Sequence, residues 1–407
     1  MLNKSPKHSI TCLEFIAIVV MNLLLFQPIL EIILPSFSYF DELFAMVSLV
    51  YLIAVTLAGR ASFGWRIKQM TVLLLLIVAV GLVCNVNLNI QQNWFYVFVD
   101  VLECSKFFVV YFALRTAISD SSHFVRYMAV ESKFLLILMT TCLVVNQISD
   151  IGMTYETRYG LKSFQFVFIH PTHMVTLSLC SFAFVYSEGS RNCRMYGGLA
   201  LLLMAMSLRS RWIALALVIF LLMLFVKRGA NKAPYLTIAA GFVGALLVGR
   251  SQFGVYYGDL SESARNQLTS AAIDIMQQLM PLGSGFGTFG SGVTKTAYSS
   301  LYYQYGLNTV YGLAPQNPCY LTDTFWPVII AQFGLVGLLA WLLLLSVFIV
   351  DFYNYGKERG ALLLSLIFIA MLLISTTSSG SIFSMQLISL VVAYVAAINA
   401  QGIRRES

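Results

Sequence analysis

Apolar runs about as long as a bilayer is thick recur from one end of this chain to the other, and no other feature limits its fold as strongly. A helix needs roughly 17–25 apolar residues to cross the hydrocarbon core. Such stretches fall at 12–33, 41–59, 69–86, 93–114, 133–149, 164–187, 195–208, 211–227, 234–249, 326–350, 360–376 and 380–399. They do not alternate in polarity as the strands of a membrane barrel would. Only 11% of the 407 residues are charged and 59% are hydrophobic, with a mean hydropathy of +0.81. A soluble domain carries about twice that charge and is excluded. The sequence predicts an all-α, polytopic transmembrane helix bundle of about 12 spans, the seventh being the shortest and weakest. The N-terminal stretch MLNKSPKHSITCLEFIAIVVMNLLLFQPIL is too long and lacks the small-residue site of a cleaved leader, so it is read as the first span.

The basic residues set the expected orientation. With the N-terminus inside, 17 of the 25 Lys and Arg fall on inner segments, seven on outer ones, and Lys106 within a span. The positive-inside bias then places both termini in the cytoplasm. The net charge of +7 is therefore a topology marker, and no basic tract of the kind that binds nucleic acid occurs. The seven cysteines are scattered singly, which points to neither a disulfide framework nor a zinc site. On this reading residues 1–249 hold spans one to nine, 250–325 form a large extracytoplasmic loop, and 326–407 hold spans ten to twelve and a short tail. Within the loop, DLSESARNQLTSAAIDIMQQL has the pattern of an amphipathic helix. Asp259 and Glu262 have capping-box spacing, and Leu260, Ala264, Leu268, Ala272, Ile275 and Leu279 form an apolar stripe facing the membrane surface or the bundle. PLGSGFGTFGSG then reads as a glycine-rich turn beside a ligand, and YSSLYYQYGLNTVYG as a tyrosine-rich segment.

The chemistry-bearing residues concentrate on the outer side. LRSRWIALALVIFLLMLFVKR, residues 208–228, carries bases at both ends, and only one end of a span can be cytoplasmic. Arg209 and Arg211 therefore lie outside, against the usual bias. Arg158 precedes span six, Arg250 closes span nine, and Arg265 begins the loop helix, all facing the same compartment. A guanidinium stays charged and its planar fork matches phosphate oxygens, so converging arginines suggest a lipid phosphate or diphosphate. The alternative is that each pairs with a headgroup or a helix end. His170 and His173, in SFQFVFIHPTHMVTL, are expected inside span six, where Pro171 would kink the helix. They either contact substrate or pack as polar bundle residues; no neighbouring carboxylate or thiol completes a metal set. Asp100, Glu103 and Lys106 share a face of span four, as either an ion path or a self-neutralising i, i+3 pair. Asp323, just before span ten, either orients an acceptor hydroxyl or caps the helix that Trp326 and Pro327 begin.

Four stretches carry a family likeness. TRYGLKSFQFVFIHPTHM, LRSRWIALAL, ARNQLTSAAIDIMQQLMPLGSGFGTF and LTDTFWPVIIAQFGLVGLL, together spanning residues 157–339, resemble in order and placement the bacterial O-antigen ligase and polymerase superfamily. The chain looks most like a Wzy-type repeat-unit polymerase for O-antigen, capsule or exopolysaccharide. The resemblance implies a metal-independent glycosyltransferase of the bacterial inner membrane without cofactors. Its donor and acceptor would be undecaprenyl-diphosphate-linked oligosaccharides, and a flippase and a chain-length regulator would be its partners. Arg211, Arg265 and Arg158 would stabilise the departing diphosphate and Asp323 would orient the acceptor. Arg209, Arg250, His170, His173, Tyr302, Tyr303 and Tyr305 would contact substrate. Ligases of the superfamily carry a histidine in the large outer loop, and residues 250–325 have none, which favours polymerase over ligase. The rival from another class is a lipid-linked oligosaccharide flippase or other transporter, which would tend toward repeated halves; none is evident.

Overall fold

The computed structural model describes residues 11–60, 62–118, 120–226, 263–377 and 380–406. Apolar periodicity and caps set the first part of the bundle. α1 (Cys12–Ile33) starts on a reciprocal cap in which Thr11 accepts from the Glu14 amide and Glu14 accepts from the Thr11 amide. α2 (Phe40–Leu57), α3 (Trp65–Leu88), α4 (Trp94–Ala117) and α5 (Ser122–Ile148) follow. A hairpin of β1 (Thr154–Arg158) and β2 (Leu161–Phe164) then leads to α6 (Pro171–Glu188), α7 (Cys193–Met206) and α8 (Ser210–Phe225). The 263–325 segment contributes α9 (Ala264–Leu279) and two short turns of helix, α10 (Val293–Thr296) and α11 (Ser300–Gln304). α12 (Trp326–Glu358), α13 (Leu362–Thr376) and α14 (Met385–Glu406) complete an all-α membrane bundle.

Six of the described helices are long and apolar enough to cross a membrane, and α7, α8 and α13 are shorter apolar helices. Hydrogen bonds between connections sort them into two ends. At one end Gln27 donates to the Ser38 carbonyl, Gln91 to the Gly287 carbonyl and Ser163 to the Ser207 carbonyl. At the other, Ser121 and Ser187 donate to the Ala396 and Ala397 carbonyls, and Asn399 to that of Ile118. The 263–325 segment belongs to the first end, called the loop end below.

Three local expectations are revised. Span six does not begin at 164: residues 164–170 are non-helical, and His170 is the N-cap of α6 with Pro171 in its first turn. Proline has no N–H to offer and its fixed φ suits the first helical position, so it starts this helix instead of kinking one. α9 is capped by Ser263, which accepts from the Asn266 amide; Asp259, Glu262, Leu260, Arg250 and the span expected at 234–249 lie outside the described residues. Its apolar stripe faces the bundle, one of the two placements expected for it. Leu268, Ala271, Ala272 and Ile275 share a small core with Phe289, Leu301, Tyr302, Leu313 and Leu321.

The glycine-rich turn is the largest revision. Residues 283–291 are all buried, wedged between α3, α4 and α12. Irregular backbone at such depth is tolerated only where protein groups satisfy it, and here they do. Asn85 accepts from the Phe286 amide at 2.8 Å and donates to the Phe286 carbonyl at 2.9 Å. Gln332 donates to the Phe289 carbonyl at 2.8 Å, Asp100 accepts from the Gly287 amide at 2.5 Å, and Glu103 accepts from the Gly292 amide at 3.1 Å. α12 is broken opposite the plug: Gly334 stands at φ 62°, ψ −156°, non-helical backbone that a side chain would resist. The Ala331 and Gln332 carbonyls accept from the Ser284 and Gly285 amides, and the Val336 amide donates to the Pro281 carbonyl. Lys106 does not pair with the carboxylates on its own helix. It reaches α2, 2.5 Å from both Asp41 and Glu42, because Asp100 and Glu103 are held by the plug.

Candidate anion site at the loop end

Two helix N-termini and the hairpin meet at the loop end. The hairpin closes through Tyr159 and Gly160, at φ 54° and 75°, the two positive φ values that a tight two-residue turn matching strand twist requires. Arg158 pairs with Leu161 across it. Gln147 grips the hairpin from α5, donating to the Lys162 carbonyl and accepting from its amide, while Lys162 Nζ donates to the Asn146 carbonyl. Ser163, buried, ties β2 to the turn before α8.

This framework brings three predicted arginines together. Glu156 Oε1 lies 2.9 Å from Arg158 Nε and 3.1 Å from Arg209 Nη2, so one carboxylate bridges two guanidiniums. Tyr155 stands between His170, whose ring meets it edge-on at 5.0 Å, and the Arg209 guanidinium, 5.0 Å above its ring. Arg211, in the first turn of α8, donates to Thr172 Oγ1 in the first turn of α6 at 3.1 Å and lies over the Trp212 ring. His170 Nδ1 accepts from the Thr172 amide at 3.2 Å, which leaves that nitrogen unprotonated and the imidazole neutral. Two helix N-termini, each carrying the positive pole of its backbone dipole, thus face three guanidiniums, two of which share the Glu156 carboxylate. Bases at helix N-termini are unfavourable by about 0.3–1 kcal/mol each without an anion, and amide groups with guanidiniums at such an end form an anion site.

Arg265 and Asp323 form a second element. Their 3.1 Å ion pair joins α9 to the segment before α12. Asp323 does not cap α12, whose N-cap is Phe325 with no side-chain cap bond. Nearby, the Tyr320 phenol is pushed up first by burial, then by Cys319, Tyr311, Asp323 and Tyr155. The remaining predicted residues separate. Tyr302 is fully buried in the loop core, accepting from the Gly290 amide at 2.7 Å and donating to Thr294 at 3.1 Å, and burial holds its phenol far above the ordinary range. It offers no face to a sugar. Tyr303 is exposed beside Tyr298, whose phenol is pushed up to about 12 by burial and by Tyr303. Tyr305 donates to Gln278 at 2.8 Å. His173 faces away from the arginines and sits 3.2 Å from Gln386 in a small cavity with Thr176 and Ser389.

Glu156, Tyr155 and Thr172 were not singled out in the sequence. The signal available was Tyr-Gly flanked by TYETR and LKSF, a hairpin pattern that marks those residues as framed backbone. No family model matches the chain, and no characterised sequence does.

Proposed function

We propose that this protein is a glycan polymerase of the bacterial inner membrane. It transfers a growing chain from undecaprenyl diphosphate to the non-reducing end of a lipid-linked repeat unit on the outer leaflet. In this reading the bundle has twelve spans, both termini are cytoplasmic, and the loop end faces outward. The observation that carries the proposal is the gathering of Arg158, Arg209 and Arg211 at the N-termini of α6 and α8, with Arg158 and Arg209 sharing the Glu156 carboxylate. As the anomeric carbon–oxygen bond breaks, its electron pair leaves with the lipid diphosphate. Fixed guanidiniums and helix-terminal amides stabilise that charge where it develops, each well-placed donor contributing about 3–4 kcal/mol. Arg211, anchored by Thr172, is the principal donor, and Arg158 and Arg209 share the second phosphate. Asp323, held by Arg265, orients the acceptor hydroxyl. Neutral His170, its Nδ1 engaged, offers its other ring nitrogen as a hydrogen-bond partner to sugar or phosphate.

Reconstitution of the purified chain with a lipid-linked repeat unit tests the proposal. A ladder of longer chains should form without ATP, nucleotide sugar or ion gradient. Arg211→Ala should reduce the rate by about 100-fold or more, and Arg211→Lys should recover little, because an ammonium lacks the fork. Full-length ladders from Arg211→Ala would overturn the diphosphate assignment. Transfer of the glycan only to a lipid A core acceptor would identify a ligase instead. The break in α12 favours a second reading, a lipid-linked oligosaccharide transporter, since interrupted helices line transport sites. Relocation of the lipid-linked substrate across the bilayer, with no elongation, would support that reading.

A further inference from the structure

β1 is bulged where it meets the arginines. Thr154 pairs with Phe164 and Thr157 with Lys162, so Tyr155 and Glu156 together stand against the single Ser163. A bulge bends its strand and re-aims side chains that regular pleating would send to opposite faces. Tyr155 and Glu156 accordingly reach one partner: the Arg209 guanidinium lies 5.0 Å over the Tyr155 ring and 3.1 Å from Glu156 Oε1. The same oxygen is 2.9 Å from Arg158 Nε. The hairpin itself is fixed, by Gln147 of α5 on Lys162 and by Ser163 on the Ser207 carbonyl. The fold therefore delivers a carboxylate into a cluster of guanidiniums.

Its hold there is loose. Both contacts are short, yet neither is an aligned hydrogen bond: Glu156 Oε1 has no hydrogen-bond partner, and the buried Arg209 Nε has none either. Glu156 supplies charge without filling the guanidinium forks. The Glu156, Arg158 and Arg209 side chains are 32%, 37% and 25% exposed, and partly exposed pairs of this kind hold by up to about fivefold each. A diphosphate has oxygens enough to fill both forks in bidentate fashion, making the stronger charge-assisted bonds that the carboxylate leaves unmade. Arg209 keeps its place without the carboxylate because it rests on Tyr155, and Arg211 is held independently by Thr172.

We propose that Glu156 is a displaceable internal anion. It occupies Arg158 and Arg209 in the empty site, yields them to the donor diphosphate, and returns to expel the diphosphate after transfer. It is a positioning residue and touches no reacting atom. The release role rests on the glycan-transfer reading; the displacement does not. In that reaction the anomeric carbon–oxygen bond breaks, and its electron pair and oxygen stay with the phosphate. The acceptor hydroxyl oxygen forms the new bond to the anomeric carbon, and its proton passes to solvent. The lipid diphosphate thus leaves with one more ionised oxygen than the donor had, and fixed guanidiniums bind it more tightly than the substrate. A carboxylate on a fixed hairpin, competing for two of the three guanidiniums, offsets that excess and lets the product go.

The test uses inorganic pyrophosphate as the probe, titrated calorimetrically into the purified full chain in detergent at fixed pH and ionic strength. Glutamine keeps the shape and removes the charge, so Glu156→Gln should lower the dissociation constant by about fivefold or more. Glu156→Asp, which keeps the charge but draws it back by one methylene, should lower it less. With a lipid-linked repeat unit, Glu156→Gln should show a burst, its later turnovers slower than its first, and pyrophosphate should inhibit it more strongly than the wild type. A carboxylate that only holds the arginines in place predicts the opposite, weaker pyrophosphate binding and a slow first turnover. Unchanged or weaker pyrophosphate binding in Glu156→Gln overturns the proposal, as does the same result in Glu156→Asp should the glutamine variant not fold. Tighter binding with no ladder from the wild type would support the displaceable carboxylate and refute glycan transfer. A wild-type ladder with unchanged binding would do the reverse.

Discussion

Replacing Asn85 by alanine should release the plug. Asn85 is 1% exposed on α3 and satisfies both backbone groups of Phe286, at 2.8 and 2.9 Å. The plug at this point lies among α3, α4 and α12, so water has no ready path to replace the lost amide. Alanine leaves one N–H and one C=O buried without partners. Each costs about 1–3 kcal/mol, so the folded arrangement loses roughly 2–6 kcal/mol, a large part of the total stability of most proteins. Cys84 is the natural reporter, because it is buried beside Asn85 with its thiol against the Gly283 backbone. In a variant that keeps Cys84 and replaces the other six cysteines, maleimide should label it slowly. Adding Asn85→Ala should speed labelling by at least about 30-fold, the factor that 2 kcal/mol corresponds to, and lower the unfolding midpoint. Asn85→Asp, which can still accept from Phe286 but no longer donates, should fall between. Unchanged labelling and an unchanged midpoint in Asn85→Ala would show that the plug is held by something other than these bonds.

The other expected outcomes follow from the same geometry. A Cβ on Gly81 of α3 would overlap the Phe286 ring, so Gly81→Val should lower the midpoint by about 1–3 kcal/mol equivalent, and adding Phe286→Ala should recover part of the loss in a double-mutant cycle. Tyr302→Phe removes a buried acceptor for the Gly290 amide and a donor to Thr294, and should destabilise the loop core by about 1–3 kcal/mol, whereas Tyr303→Phe should leave stability unchanged. The Arg265–Asp323 pair is partly exposed, so its coupling in unfolding experiments should stay below about 1 kcal/mol; a far larger effect on glycan transfer would mark the pair as functional. Burial raises the Tyr298 phenol to about 12, so the folded loop favours its neutral form. The stability from that burial is fully present below the unfolded value of about 10 and is lost as pH rises from there through about 12, which ultraviolet tyrosine titration and near-ultraviolet dichroism can follow.

Much of the architecture was legible because lipid imposes one-dimensional rules. A span must be apolar over a fixed length, so α1 was placed at its observed bounds, and α3, α8 and α13 within a few residues, from composition alone. Three of the predicted arginines also lie together as their common end of the bundle implied. What the sequence could not express were pairings between distant segments. Lys106 pairs with Asp41 and Glu42, not with the acids one turn away, because a helix face has no information about which neighbour arrives with carboxylates. A run of glycines, Asn85 and Gln332 do not announce that they will satisfy one another between α3, α4 and α12. Buried irregular backbone must find its hydrogen-bond partners wherever the chain brings them, so tertiary packing alone decided that the glycine-rich turn is a plug, that α12 breaks at Gly334, and that Asp100 accepts from the Gly287 amide.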